Sequence, residues 1–181
     1  YKYLQWGEGN CFLRFPEECT LRPAITGWFA SFSTLEEPRD GRQQRVEYGE
    51  RDQRFASGTY DAASQYRAAR VTEFFREQGL TPQRLRDQYQ GQVGLLREMF
   101  LEQEFDPDSI RLHHTRPLEH NGGFLSLRSP MARELQSRLM ERGVFTDARG
   151  KTLRIGPAPY TTTGQIGQCI EALGRAVRDL F

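Results

Sequence analysis

Hydrophobic positions recur with a helical period over two adjacent stretches near the middle of the chain. In the first, apolar residues return every three or four positions from Ala62 to Phe74, Thr59 or Asp61 can cap the start, and Gly79 lies near the end. The second starts after Thr81-Pro82, a capping residue followed by proline at the first helical position. Its predicted inward positions are Leu85, Tyr89, Leu96, Met99 and Phe100. The pattern predicts two consecutive helices, the second weakened in its middle by Gly91 and Gly94.

Short apolar runs alternate with helical periods from Asp106 to the end of the chain. The runs predict strands at Ser109–His114, Gly123–Leu127, Val144–Thr146 and Thr152–Ile155, with a turn at Ala148–Gly150. One helix is predicted from Ser129-Pro130 to Arg142-Gly143 and a last one from about Thr163. This order predicts a small sheet with helices packed on it, an α+β unit.

The first third of the chain has little regular periodicity. Cys11 to Phe15 alternates enough to predict a strand, and Thr34 to Arg54 is a polar run that predicts an exposed loop.

Composition narrows the functional class only slightly. The chain has 181 residues, 37% of them hydrophobic and 27% charged, with a formal net charge of +1. That balance favours neither nucleic acid nor an anionic membrane as a partner, and no apolar stretch reaches membrane-spanning length. Cys11, Cys19 and Cys169 are odd in number and lack metal-ligand spacing, so a reducing cytoplasm is predicted.

Lys2 is a candidate for covalent binding of an aldehyde cofactor. It is one of two lysines in the chain, lies between Tyr1 and Tyr3, and is followed by Gly7 and Gly9. A lysine amine is a nucleophile only where a site lowers its pKa or holds it beside the aldehyde. A lysine near a terminus is more often simply solvated, so the residue types alone leave both interpretations open.

Arg154 is a candidate for binding a carboxylate. It lies in an apolar strand that breaks at Gly156-Pro157, where a planar guanidinium suits a two-pronged contact with a carboxylate. An outward-facing arginine on an edge strand explains the pattern equally well.

Two donors beside glycines suit a phosphate site: the indole of Trp28, after Gly27, and the hydroxyl of Thr59, after Gly58. Core packing is the commoner role of tryptophan. His113, His114 and His120 lack the companion ligands of a metal site, and no metal is predicted.

Taken together, these segments resemble kynureninase, a class V aminotransferase-like enzyme of the fold type I pyridoxal-phosphate group. The resemblance covers nearly the whole chain in the family's order. It rests on Tyr1-Lys2-Tyr3-Leu4, Gly27-Trp28-Phe29, Gly58-Thr59, Asn121 to Pro130, Arg142-Gly143-Val144 with Asp147, and Leu153 to Tyr160.

The resemblance implies a fold, a cofactor and residue roles. The fold would be the C-terminal part of a fold type I pyridoxal 5'-phosphate (PLP) transferase, an α/β fold represented here mainly by its α+β small domain. Lys2 would bind PLP covalently and Tyr1 would contact its phosphate. Trp28 and Thr59 would complete the phosphate site of a neighbouring subunit in a homodimer. Arg154 would hold the α-carboxylate of the amino-acid substrate, and the reaction would be hydrolytic Cβ–Cγ cleavage of kynurenine to anthranilate and alanine.

The chain departs from the family in three places. The Gly-Trp-Phe block usually continues Gly-His, the histidine contacting the aromatic part of the substrate, whereas here Ala30-Ser31 follows. Tyr60-Asp61 stands where members often have proline. Both changes are compatible with an enzyme of this kind that acts on a different amino acid. The family's pyridine-binding aspartate, its ring-stacking aromatic and its main phosphate loop lie before the lysine, so we expect an upstream half to supply them and the isolated chain to be inactive.

These considerations predict a division of the chain by role. Residues 1–60 would end the large cofactor domain, 61–105 would form connecting helices, and 106–181 would form the small domain. The alternatives are another class V PLP activity, such as a cysteine desulfurase-like enzyme or a β-eliminating lyase, or a non-catalytic dimerisation module.

Overall fold

The computed structural model describes residues 4–36, 41 and 46–181. The chain divides into two compact units, Tyr1–Gln78 and Gly79–Phe181. Tyr1 and Lys2 lie outside the described residues. The predicted division at residues 60 and 105 concerns roles in a longer enzyme and stays a prediction.

The first unit contains two 3₁₀ helices, Trp28–Thr34 and Arg51–Phe55, and helix α1, Ala62–Glu77. Asp61 caps α1 by accepting hydrogen bonds from the backbone N–H groups of Ala63 and Ser64, as the capping pattern predicts. The strand predicted at Cys11–Phe15 is wrong, because the backbone there has no strand partner among the described residues. Among those residues, Ala30 is this unit's only buried hydrophobic side chain.

The second unit contains helix α2, Pro82–Leu101, with Thr81 as its cap, followed by strand β1, Arg111–Leu112, and a 3₁₀ turn, Leu118–His120. Strand β2, Leu125–Arg128, leads into helix α3, Ala132–Glu141. Strands β3, Asp147–Arg149, and β4, Thr152–Ile155, form a hairpin before helix α4, Thr163–Arg178. The α+β organisation is as predicted.

The four strands form one antiparallel sheet in the order β1-β2-β4-β3. Its core face packs with the helices into one cluster, whose fully buried leucines are Leu127, Leu135, Leu139, Leu153 and Leu173. Strand alternation places the other side chains on a second face, which we call the polar face: Arg111, Ser126, Arg128, Asp147, Arg149, Thr152 and Arg154.

The predicted position of strand β3 is wrong by three residues. Val144 follows α3 directly, and its backbone N–H donates to the carbonyl of Leu139 at 2.9 Å, so it ends the helix instead of starting the strand. The hairpin turn is Gly150-Lys151, with Gly150 at φ +56°, a conformation that glycine adopts without steric cost.

Within the described residues, no helix is long and apolar enough to cross a membrane.

Candidate functional site

The segment that follows Lys2 is fixed to the first turns of α1. The Asn10 side chain, 7% exposed, donates to the backbone carbonyls of Trp6 at 3.2 Å and Ser64 at 2.8 Å. Arg67 donates to the carbonyls of Trp6 at 2.9 Å and Glu8 at 2.6 Å. These bonds fix the backbone from Trp6 to Asn10, a segment that begins four positions after the candidate lysine, against α1.

Both glycines of that segment have left-handed backbone angles, Gly7 at φ +79° and Gly9 at φ +90°. A Cβ at Gly7 would also lie 2.9 Å from Nε of Arg67. The glycine pair therefore has a structural reason that the sequence did not reveal, since the contact with α1 joins positions about sixty residues apart.

The structure brings the Trp28 and Thr59 segments together within the first unit. Gly27 donates to the carbonyl of Ala56 at 3.3 Å, and Phe29 donates to that of Ser57 at 3.0 Å. A Cβ at Gly27 would lie 2.2 Å from the carbonyl of Ser57, so only glycine permits this approach.

The two candidate phosphate donors are unpaired within the described part of the chain. The Trp28 side chain is half exposed, Thr59 is exposed, and neither the indole N–H nor the hydroxyl bonds to a described residue. A Cβ at Gly58 would lie 3.6 Å from Nε1 of Trp28, so the glycine keeps side-chain atoms away from that donor. Exposed, unpaired donors on two segments that are in backbone contact fit an anionic group such as a phosphate.

Ser31, which the resemblance aligns with a histidine, is buried at 8% exposure.

Arg154 lies on β4, an interior strand of the sheet, so the edge-strand interpretation is wrong. Its guanidinium Nη2 donates to Asp147, directly opposite on β3, and its Cζ lies 5.3 Å from the ring centroid of Phe124. The Nε of Arg154 is buried and has no hydrogen-bond partner. The side chain, 27% exposed, is therefore held in place at one nitrogen and keeps unused donors for another group.

The loop that follows Arg154 is held by Gln92 on α2. Its side-chain amide, 6% exposed, donates to the carbonyls of Ala158 at 3.0 Å and Thr161 at 2.9 Å. Asp147 belongs to a segment used for the resemblance, but neither it nor Gln92 was predicted to act on Arg154 or its loop. The register of the β3–β4 hairpin places Asp147 opposite Arg154, so a correct prediction of that hairpin would have identified Asp147 as its partner. No pattern in the sequence around Gln92 indicates its contact with the loop about seventy residues later.

Cys169 is 7% exposed on α4, and burial raises the pKa of its thiol to about 11. It lines a cavity of about 650 Å³ with residues that include Arg142, Tyr160 and Gln165. At neutral pH such a thiol is protonated and a poor nucleophile. No group of three or more metal-ligating side chains occurs in the portion of the chain that is described.

Comparison with protein families identifies the region that carries Arg154. Residues 91–173 match the kynureninase C-terminal domain. The resemblance to kynureninase is therefore confirmed for the stretch from the middle of α2 into α4. No curated protein sequence matches the chain.

Solved structures show the same fold at low identity. The chain resembles a NifS-like protein (18% identity, TM-score 0.51), covering 75% of this chain and 39% of that one. It also resembles an adenosylmethionine-8-amino-7-oxononanoate aminotransferase from Methanocaldococcus jannaschii (13% identity, TM-score 0.53). That match covers 78% of this chain and 32% of the aminotransferase. An omega transaminase from Pseudomonas jessenii in complex with PMP matches at 17% identity and TM-score 0.50. That match covers 68% of this chain and 29% of the transaminase.

These likenesses confirm the predicted fold class. The chain has the fold of the C-terminal part of a fold type I PLP transferase, with the kynureninase C-terminal domain as its matched region. It spans about a third of the length of these solved structures. The chain is thus similar to part of a PLP enzyme.

Proposed function

We propose that this chain is the C-terminal part of a PLP-dependent, kynureninase-like hydrolase. The enzyme would cleave the Cβ–Cγ bond of L-kynurenine, giving anthranilate and alanine, or the same bond of a related amino acid. The observation that carries the proposal is Arg154, which lies inside the matched domain on an interior strand with its guanidinium oriented by Asp147.

Arg154 would bind the α-carboxylate of the substrate. A guanidinium held by one carboxylate and one aromatic ring has lost much of its rotational freedom before the substrate arrives, so less entropy is lost on binding. By fixing the carboxylate, Arg154 sets the direction of the bonds at the substrate's Cα. Gln92 would support this role by holding the loop after β4.

Lys2, Tyr1, Trp28 and Thr59 would hold the cofactor. Lys2 would bind PLP covalently and move a proton at the substrate's Cα, and Tyr1 would contact the phosphate. Trp28 and Thr59, on segments in backbone contact and unpaired within the described residues, would donate to the phosphate of the neighbouring subunit. When bound, PLP supplies an electron sink for the bond that breaks.

An upstream large-domain half and a second copy of the chain are the proposed partners. Support comes from the first unit, whose described residues expose large hydrophobic side chains by half or more: Phe12, Leu13, Leu21, Ile25, Trp28, Phe32, Val46, Tyr60, Tyr66 and Phe74. Exposed apolar surface of this extent is typical of protein–protein contacts. A reducing cytoplasm suits the three free cysteines.

A cysteine desulfurase-like activity remains the alternative within the enzyme class. It needs a reactive, mobile cysteine, and the burial and raised pKa of Cys169 argue against that residue. A non-catalytic dimerisation module is the alternative outside the enzyme class. An upstream reading frame that encodes a large domain would argue against the module.

The test is to co-express the chain with its upstream half, add PLP and reduce with borohydride. We expect a cofactor adduct on Lys2, located by peptide mass spectrometry, and no adduct in Lys2→Ala, whose circular dichroism should match the unmodified protein. Absence of the adduct from the unmodified protein would contradict the cofactor role. Release of anthranilate from L-kynurenine would then establish the reaction.

A further inference from the structure

A cavity of about 650 Å³ lies within the second unit, lined by α4, the loop after α3 and the loop after β4. Its volume is in the range of small-molecule sites, about 300–1,000 Å³. Ile155 lines it, whereas strand alternation places Arg154 on the polar face of the sheet. The cavity is therefore separate from the proposed position of the substrate carboxylate.

Two exposed aromatic rings line this cavity. Phe145 is 82% exposed and Tyr160 is 78% exposed. The backbone beside Phe145 is bonded to the end of α3 through Val144, and the loop that carries Tyr160 is held by Gln92. Exposed rings on a fixed backbone can pack against a flat ligand with little further loss of conformational freedom.

Helix α4 contributes a line of polar side chains to the same cavity. They are spaced three, three and four residues apart, and so follow one face of the helix: Gln165, Gln168, Glu171 and Arg175. The carboxylate of Glu171 lies 3.9 Å from Nη1 of Arg175, beyond hydrogen-bond distance, and the side chains are 71% and 56% exposed. An exposed pair of this kind contributes little to stability and leaves both groups able to bind a ligand.

Arg142, the other arginine that lines the cavity, is already paired. Its guanidinium donates to Asp179 at 2.6 Å and to the carbonyl of Arg138 at 2.9 Å. Among the described lining residues, the charges available to a ligand are thus one cation, Arg175, and one anion, Glu171. A ligand with a single charge would leave one of them uncompensated, whereas a zwitterion can bind both.

We propose that this cavity binds a neutral aromatic α-amino acid. Its ring would pack against Phe145 and Tyr160, its carboxylate would bind Arg175, and its ammonium group would bind Glu171. The proposal goes beyond the proposed function, which assigns the substrate to Arg154. Because Gly156 also lines the cavity, a bound amino acid would contact the loop that follows Arg154.

Calorimetric titrations of the chain with its upstream half, without PLP, test this inference. The probes are L-phenylalanine, hydrocinnamate, which lacks the ammonium group, and phenethylamine, which lacks the carboxylate. We expect L-phenylalanine to bind most tightly, by roughly ten-fold or more, the range of one charged hydrogen bond.

Substitutions on α4 assign the two charges. Arg175→Gln should weaken binding of L-phenylalanine and hydrocinnamate by roughly ten-fold without weakening phenethylamine. Glu171→Gln should weaken L-phenylalanine and phenethylamine but not hydrocinnamate. Arg178→Gln is the matched control, because it removes an exposed arginine of the same helix that does not line the cavity, and it should change none of the three affinities.

Three results would overturn the proposal. The first is that L-phenylalanine does not bind, and the second is that the three probes bind within two-fold of one another. The third is that Arg154→Gln abolishes the binding while Arg175→Gln leaves it intact, since the ligand would then occupy the proposed substrate position. None of these measurements needs PLP, so they are independent of the borohydride adduct at Lys2 that tests the proposed function.

Discussion

At the scale of single residues, the site depends on how Arg154 is oriented. Asp147 holds its guanidinium through one nitrogen, and the ring of Phe124 lies 5.3 Å from its Cζ. Lysine keeps the charge but cannot make two parallel hydrogen bonds with a carboxylate. The planar pair of donors on the guanidinium, in addition to its charge, should therefore determine how tightly the substrate carboxylate binds.

We expect Arg154→Lys to lower kcat/KM for the amino-acid substrate by roughly 10- to 100-fold, the range of one or two charged hydrogen bonds. The dissociation constant of PLP should change less than two-fold. Steady-state kinetics and a cofactor titration of the co-expressed protein measure the two effects. Arg149→Lys is the matched control, because Arg149 pairs with the same Asp147 but is 69% exposed. Equal losses of substrate and cofactor binding would make Arg154 a structural residue.

At the scale of elements, the sequence predicts most accurately those features of secondary structure that a few consecutive residues determine. The caps depend on a few consecutive residues: Thr81 caps α2 as predicted, and of the two candidates for α1, Thr59 and Asp61, it is Asp61 that caps the helix. Strand β3 was misplaced because its position depends on pairing with β4 across the hairpin. The Trp28 and Thr59 segments were suggested by the resemblance. Their contact, however, depends on backbone bonds between distant positions, which no local pattern encodes.

The end of α3 offers a test of that local reasoning. Gly143 has φ +76°, and its N–H donates to the carbonyl of Met140 at 3.0 Å, while nothing lies within 4 Å of an added Cβ. Gly143→Ala should therefore lower the free energy of unfolding by about 1 kcal/mol through backbone strain alone. Gly91→Ala, also in open space but inside α2, should raise it by about 1 kcal/mol. Urea unfolding followed by circular dichroism measures both, and a change of the same sign would contradict the argument.

At the scale of the whole molecule, burial is distributed unevenly. The core cluster consists of residues from Val93 to Val177, all in the second unit, whereas in the described part of the first unit Ala30 alone is a buried hydrophobic residue. Buried apolar surface is the main favourable term in folding. The second unit should therefore carry most of the stability of this chain, while the first should gain its stability from partners.

Tryptophan fluorescence can separate the two units, because Trp6 and Trp28 are the chain's two tryptophans and both lie in the first unit. In urea, fluorescence should change at a lower concentration than the larger part of the helical circular dichroism signal, because α2, α3 and α4 lie in the second unit and only α1 unfolds with the first. A chain of residues 79–181 should unfold cooperatively at the same midpoint as the later transition. Coincident transitions, or an unfolded 79–181 chain, would show that the second unit depends on the first.

Adding the upstream half should move the fluorescence transition to higher urea, because that half would cover the exposed hydrophobic side chains of the first unit.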